Sequence, residues 1–427
     1  MIGSNPISPG ISWYEDTLEE RPSYPFFSEN IHCDVIIIGG GFTGLSAAYH
    51  LAKVGVHVVL FEASRFGDGA SGRNGGQLGT GHRQWVETLE KKYGFERSKA
   101  LFDLAEEAKR DILSWCALPN CQCDFMRGHL SVTHKKRELI SYQRHVEIMQ
   151  RYGYYGLTFV NRDETAQRLG SSFYHGGIYD AETGHINPLK LVIGLAKKAK
   201  NAGAKLYEET QVTAVERNGG HWKVTTERGN IKAEHILLAT NAYKLGLQHF
   251  VEKNIFSTHS YIGATEPLSK DTLILPGGES VDDSRFMVRY FRKSIDNRLL
   301  FGGVESYSHQ YPANLDDRMR RQIAEIYPYL HSINLTHYWG ATVAITVERM
   351  PYVRQLFTGL TYCGGYSGHG VMLAPFLGKL YAEWLTGNRD RFAYFQDLKI
   401  SPFPGGKVLR YPLIFLAMHW FALMDHF

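Results

Sequence analysis

Apolar runs and helical periodicity alternate from the start of the chain. Residues 35–39, VIIIG, read as a buried strand. Residues 42–55, FTGLSAAYHLAKVG, read as a helix, with Leu45, Ala48 and Leu51 on one side and Gly55 ending it. Residues 56–63, VHVVLFEA, give the next strand. Continuous apolar runs mark strands covered on both faces, so the unit is β-α-β with parallel pairing. A long helix is predicted over 95–118, a loosely alternating strand over 127–134 and a solvated helix over 135–150. A further helix starts near Pro188 and leads to a strand through Leu206. Three more strands follow, separated by Asn-Gly-Gly and Arg-Gly-Asn turns. RFMVRYF and NRLLFGG are strand candidates, and a helix is predicted from about Asp316 to Tyr327. Residues 359–387 repeat the opening pattern of strand, glycine turn and helix. Nucleotide-domain signals at the start, middle and end imply a discontinuous first domain with a second inserted into it.

The 427 residues suit two domains, and a net charge of +4 without a Lys/Arg block argues against a nucleic-acid partner. The 19 histidines form no recognisable metal-ligand set. Five cysteines, Cys33, Cys116, Cys121, Cys123 and Cys363, are odd in number, which fits a reducing, cytoplasmic location better than a disulfide framework. Cys121 and Cys123 have redox or metal-pair spacing but lack a second pair, so packing is expected. Residues 1–30, with Pro6, Pro9, Pro22 and Pro25, lack the apolar run of a signal peptide and read as an extended surface arm. The apolar stretch from Pro412 to Met424 is only 13 residues long, too short for a bilayer. A packed terminal helix is expected, with a membrane-surface or partner-binding helix as the alternative.

The turn after the first strand holds Gly39, Gly41 and Gly44, for the tight turn, close approach to a pyrophosphate and helix–strand packing. The helix start presents free N–H groups to phosphates. Glu62, 18 residues after Gly44, stands where a carboxylate accepts hydrogen bonds from a ribose. NAD and FAD both fit this unit. The next stretch, Arg65 to His82, contains seven glycines and suits a chain lying along a large planar cofactor and its polyol.

Four segments together resemble the D-amino-acid oxidase superfamily of FAD oxidoreductases: GGGFTGLSAAYHLA with Glu62, GASGRNGGQ from Gly69, GHINPLKLVIGLAKKAKNAGAKLYEETQVTAVE from Gly184, and GGYSGHGVMLAPFLGKLYAEWLTG from Gly364. The likeness runs from Val35 to about Gly387 and looks most like the branch containing gamma-glutamylputrescine oxidases. It implies an α/β fold: a Rossmann-like FAD-binding domain with an inserted α+β substrate domain on a mixed or largely antiparallel sheet. The FAD-binding domain would comprise 31–85, 185–255 and 336–405, the substrate domain 86–184 and 256–335, and 406–427 a terminal helix. FAD would be approached by Gly39, Gly41, Phe42, Thr43 and Gly44, with Glu62 on the adenosine ribose and Ala63 and Arg65 beside it. Ser71, Gly72, Arg73 and Asn74 would line the pyrophosphate and ribityl region, and Gly75, Gly76 and Gln77 the isoalloxazine. Val212 would offer backbone groups to the adenine, Thr240 would approach the dinucleotide, and Gly340 would lie near the flavin. Tyr366, Ser367, Gly368, His369, Gly370, Val371 and Met372 would follow the pyrimidine edge, where a helix N-terminus can steady reduced flavin.

Sarcosine oxidases in this superfamily attach flavin to a cysteine upstream of the last motif. Here that segment, WGATVAITVERMP, has none, so non-covalent FAD is expected. Met372 replaces the lysine that follows the motif in those enzymes, which weakens a sarcosine-oxidase reading. The resemblance implies oxidation of an amine C–N bond by hydride transfer to flavin, imine hydrolysis, and reoxidation by O2 or a quinone-type acceptor. Substrate-side candidates are Arg289, Tyr290, Arg292 and Arg298, one of which could bind a carboxylate, together with Trp339, Tyr366 and His369. Alternation places Arg289 and Tyr290 on opposite faces of their strand. A polyamine-derived amine is the first expectation. A D-amino acid, glycine or N-methyl amino acid, and a flavin-binding scaffold without turnover, remain open.

Overall fold

A computed structural model of the chain describes residues 11–28, 31–118, 121–243, 251–306 and 312–406, with 409, 412, 413, 416, 420 and 425 of the tail. Among these residues the helices are Trp13–Asp16 (α1), Phe42–Lys53 (α2), Val86–Tyr93 (α3), Phe95–Cys116 (α4), Leu139–Arg151 (α5), Arg162–Leu169 (α6), Pro188–Asn201 (α7), Leu315–Ile326 (α8), Gly370–Leu385 (α9) and Asp390–Gln396 (α10). The first sheet runs in the order Tyr352–Phe357 (β15), Leu360–Gly364 (β16), Gly229–Leu238 (β9), His32–Ile38 (β1), Val58–Phe61 (β2) and Lys205–Tyr207 (β6). Val212–Asn218 (β7) pairs with His221–Thr226 (β8), which joins β9. From β16 to β6 every pair is parallel, as the continuous apolar runs require.

The second sheet runs Leu335–Ile345 (β14), Phe256–Thr265 (β10), Leu299–Ser306 (β13), Tyr290–Lys293 (β12), Ser280–Asp283 (β11), Met126–Thr133 (β3), Gly176–His185 (β5) and Leu157–Val160 (β4). It is antiparallel except where β11 pairs with β3. The two sheets give the expected α/β plus mixed-sheet architecture. Two segments lie across the expected boundaries. Residues 335–345 belong to the second sheet, because their length pairs with β10 along its whole course. Helix α4 sends Leu101, Leu104, Ala105, Ala108 and Ile112 into the core of the first domain, because its apolar stripe meets α9.

Helix packing around the first sheet depends on small residues. A Cβ on Gly44 would lie 2.0 Å from the Gly39 carbonyl oxygen, and one on Gly378 would lie 2.3 Å from that of Thr43. Helices α2 and α9 therefore approach backbone to backbone. The second sheet divides by face, as alternation dictates. Leu130, Val132, Val281, Phe291 and Phe301 pack with Leu315, Met319 and Ile323 of α8. His129, Ser131, Ser280, Asp282, Tyr290 and Arg292 consequently point to the other side, toward the glycine-rich loop.

The described part of the N-terminal arm, residues 11–28, is anchored by buried aromatics rather than lying loosely on the surface. Trp13 is 4% exposed, and Tyr14 and Phe27 are fully buried. Aromatic residues between polar ones bury wherever their polar tips find partners. The Tyr14 hydroxyl donates to the Asn74 carbonyl at 2.8 Å and accepts from Arg292 Nη2 at 3.1 Å. Its ring packs edge-on to Trp339, with centroids 5.3 Å apart. The tail departs from expectation too: Leu413, Leu416 and Trp420 are exposed rather than packed, and much of the apolar stretch lies outside the described residues. Among the described residues no helix is long and apolar enough to cross a membrane.

Tyr14→Phe leaves a buried carbonyl and guanidinium each short of a partner. We expect it to lower unfolding free energy by about 1–3 kcal/mol in urea titrations of the FAD-loaded protein. An unchanged midpoint at equal slope would show that the hydroxyl contributes nothing.

Candidate active site

The glycine turn follows directly from β1. Gly39 has φ +108°, and a Cβ there would lie 2.7 Å from the Ala239 carbonyl oxygen and 3.1 Å from the Thr240 nitrogen. Thr240 is thus beside the turn, at the end of neighbouring β9. Helix α2 begins at Gly41 without a capping side chain of its own. Ser71 Oγ accepts from the Phe42 N–H at 3.0 Å, and a Cβ on Gly41 would sit 2.7 Å from that oxygen. Glu62, directly after β2, is only partly buried; its carboxylate accepts from Gly40 N at 2.7 Å and Ser64 N at 3.0 Å. Burial raises its pKa, against those two N–H groups. Val212 is buried at the start of β7, close to where Thr210 N donates to the Glu62 carbonyl. Ala63 follows Glu62, whereas Arg65 is half-exposed and paired with Asp68.

The glycine-rich segment is held at almost every residue. Asn74 Nδ2 donates to Ala70 and Ser71 carbonyls, and its Oδ1 accepts from Gly76 N at 2.8 Å. Arg73 Nε donates to Gly340 O at 3.0 Å, and Trp339 Nε1 donates to Arg73 O at 2.9 Å. A Cβ on Gly72 would lie 2.3 Å from Gly67 O. A Cβ on Gly75 would touch the Tyr290 ring at 2.9 Å. Gln77 Nε2 reaches Val281 O at 2.8 Å, and Gln77 bridges to His185.

The last glycine loop closes on the first. Tyr366 OH and Thr43 Oγ1 are 2.6 Å apart. A Cβ on Gly79 would lie 2.1 Å from the His369 ring. Ser367 N donates to Ala344 O at 2.9 Å and Ser367 Oγ accepts from Thr346 N at 3.1 Å, tying the loop to β14. Gly368 has φ +89°, His369 occupies the N-cap position of α9 without a side-chain capping bond, and Val371 and Met372 are buried in its first turn. Burial, reinforced by the Arg83 charge, lowers the His369 pKa to about 3, so the ring is neutral.

These residues fit FAD on their own chemistry. A helix start with glycine at its N-cap and a turn without side chains would suit a pyrophosphate, Glu62 would suit a ribose, and the glycine-rich segment meets the last glycine loop where Gly79 lies against the His369 ring.

The arginines divide. Arg289 faces α8, pairs with Glu325 at 2.7 Å and points away from the loop. Arg292 donates to carbonyls of Gly75 at 2.7 Å and Ile186 at 3.1 Å, so it is a strut of the glycine-rich loop. Arg298 pairs with Asp296 and donates to Thr265 O. Tyr290 lies on the loop side, 3.1 Å from Ser260 Oγ.

One pair went unread in the sequence. His129 Nε2 lies 3.1 Å from Asp282 Oδ1, and Nδ1 lies 2.8 Å from Ser280 Oγ. Protein atoms surround Asp282, yet 32% of its side-chain surface is accessible, as in a residue lining a concavity. Burial alone would lower the His129 pKa, but the Asp282 carboxylate raises it. Burial would raise Asp282, but His129, Ser131 and Arg83 hold it below the ordinary value. The signal available was the alternation of MRGHLSVT; its partner SVDD was too short to read.

The family described as FAD dependent oxidoreductase (DAO) matches residues 34–384, and the chain belongs to it. It is therefore a FAD-dependent oxidoreductase with non-covalent cofactor, from a superfamily that oxidises amine or amino-acid C–N bonds by hydride transfer to flavin. A "Probable oxidoreductase OrdL" of Rhizobium meliloti (strain 1021) is 51% identical over the whole of both chains. The gamma-glutamylputrescine oxidoreductase of Escherichia coli (strain K12) is 33% identical over 97% of this chain and 98% of its own. The glycine oxidase structure from Geobacillus kaustophilus superposes with TM-score 0.73 at 22% identity, covering 86% of this chain and 99% of that one, a likeness of fold.

Two enclosed imidazoles resist protonation here: desolvation holds His82 at about 4 and His369 at about 3. The unfolded chain takes up both protons below its ordinary value of 6.5, while the folded chain does not. Stability should fall as pH drops from 6.5 toward 4, by about 1.4 kcal/mol per pH unit for each histidine. His82→Gln should flatten that slope in denaturation curves at pH 7 and 5. A wild-type curve independent of pH over this window would refute the account.

Proposed function

We propose that the chain oxidises the amine of a linear, polyamine-derived substrate of the gamma-glutamylputrescine type, with O2 as acceptor and hydrogen peroxide as co-product. When bound, FAD supplies the hydride acceptor. The carrying observation is Asp282. It is an ionised carboxylate on the loop-facing side of the second sheet, kept ionised by His129 and partly open. Such a group accepts N–H from an amine and orients its α-carbon. The arginines expected to clamp a carboxylate are engaged elsewhere, which favours an amine head over an α-amino acid. Arg83, exposed and near enough to act on Asp282 and His369, suits a carboxylate at the far end of a long substrate. Supporting this choice is the relative named for gamma-glutamylputrescine, aligned over almost the full chain. Tyr290, partly exposed on the loop side, would wall the aliphatic middle, whereas Trp339 is fully buried between Tyr14 and Arg73 and Tyr366 is buried against Thr43, so both are packing residues rather than substrate walls.

An anaerobic substrate panel tests the reading. Gamma-glutamylputrescine should bleach the ~450 nm flavin band rapidly, whereas D-alanine, glycine and sarcosine should not. Air should restore the colour with peroxide release. Asp282→Asn should raise KM for the amine ~10-fold or more, with FAD content unchanged. Bleaching by glycine or D-alanine alone, or recovery only with a quinone, would overturn the proposal.

A further inference from the structure

Three of the five cysteines gather in one place, far along the chain from any flavin motif. Cys121 and Cys123 are buried, with sulfurs 3.2 Å apart. Cys116, at the end of α4, is partly exposed and close enough to act on Cys123. The spacing that lacked a second pair in the sequence thus gains a third thiol through the fold. Backbone geometry suits closure. Cys123 N donates to Cys121 O at 2.8 Å, a three-residue turn that brings the two Cα atoms to about 5–6 Å, inside the disulfide range. A Cβ on Gly194 of α7 would lie 3.3 Å from Cys121 Sγ, so that wall of the cluster is bare backbone. Lys198, one turn on, places its ammonium 5.5 Å from the Trp115 ring and lowers the Cys121 pKa, after the larger effect of the Cys123 hydrogen bond. Among the described residues no group of three or more Cys, His, Asp or Glu has the arrangement of a metal site.

We propose that Cys121 and Cys123 form a peroxide-oxidisable dithiol. The Cys121 thiolate attacks one oxygen of hydrogen peroxide; the O–O bond breaks, giving a sulfenic acid and, after protonation, water. Cys123 sulfur then attacks Cys121 sulfur; the S–S bond forms, the S–O bond breaks, and the hydroxide leaves as water with the Cys123 proton. Two thiols lose two electrons and one peroxide becomes two waters. Cys116 is the partly exposed member of the cluster and borders Cys123, the sulfur that closes the disulfide. The site adjoins the flavin loop through backbone. Cys123 O accepts from Asn187 N at 2.7 Å, Asn187 caps α7, and the preceding Ile186 N donates to Gly76 O at 2.8 Å. A peroxide source within the enzyme rests on the O2 reading above, whereas the dithiol itself does not.

Added peroxide separates the two. The FAD-loaded protein, treated with a few equivalents of hydrogen peroxide and then denatured, should lose two of its five titratable thiols and about 2 Da of mass, both restored by dithiothreitol. Peptide mapping should link Cys121 to Cys123. Cys123→Ala, with flavin absorbance and circular dichroism as checks of folding, should keep its remaining thiols; Cys121→Ala replaces it if that variant does not fold. Five thiols surviving in the wild type, a sulfinate on one cysteine in place of a disulfide, or a disulfide without Cys123 would each overturn the proposal. Failure of the amine panel with success here would leave the dithiol standing.

Discussion

Tyr366 and Thr43 stand 323 residues apart in the chain, yet their hydroxyls share a 2.6 Å hydrogen bond. That contact expresses the constraint on which the rest depends: two glycine-rich turns must emerge at one edge of one parallel sheet. β1 and β16 flank β9 on its two sides, so the turn after β1 and the turn after β16 leave the sheet at neighbouring points. Glycine is demanded where backbone meets backbone or a neighbouring ring. Gly44 rests on Gly39, Gly378 rests on Thr43, and Gly79 rests on the His369 ring. Side chains at these positions would hold α2 away from α9 and the two loops away from each other.

The second sheet answers that edge with one of its faces. Its apolar face is closed by α8, leaving the polar face to meet the glycine-rich loop. The loop is fixed mainly by groups from elsewhere in the chain: Arg292 on Gly75, Ile186 on Gly76, Trp339 on Arg73 and Tyr14 on Asn74. Each donates to a backbone carbonyl of the loop, and buried backbone groups are costly to leave unpaired. The loop is held rigid although it contains little regular structure.

Local signals were legible in the sequence where the information was local. The β-α-β unit, the capped start of α7 at Pro188 and the strand-turn-helix around Gly364–Gly370 all declared themselves through period and punctuation. Residues that act through distant partners did not. Arg292 looks like a ligand-binding arginine until its carbonyl partners, over 100 and over 200 residues away, are known. His129 and Asp282 meet only because β3 and β11 pair in parallel, a register no local pattern announces. Trp13 and Tyr14 sit in a polar, proline-flanked stretch that reads as loose, but their polar tips find Asp296, Asn74 and Arg292. The tail misled in the opposite direction. Apolar composition predicted packing, yet Leu413, Leu416 and Trp420 face solvent.

The electrostatics of the site follow from the same division of faces. His369, enclosed beside Arg83, is neutral, so the last glycine loop presents no fixed cation to the ring region. His129, enclosed beside Asp282, is pushed toward the charged form by its carboxylate. Two imidazoles in one site are thereby set apart by their neighbours rather than by depth. In the proposed reaction this separation has a use. The amine must lose its proton before its hydride can leave, and a carboxylate paired to a histidine can steady the nitrogen without an unpaired charge buried beside it. A bare carboxylate there would hold the ammonium form too firmly, and a bare histidine would not attract it.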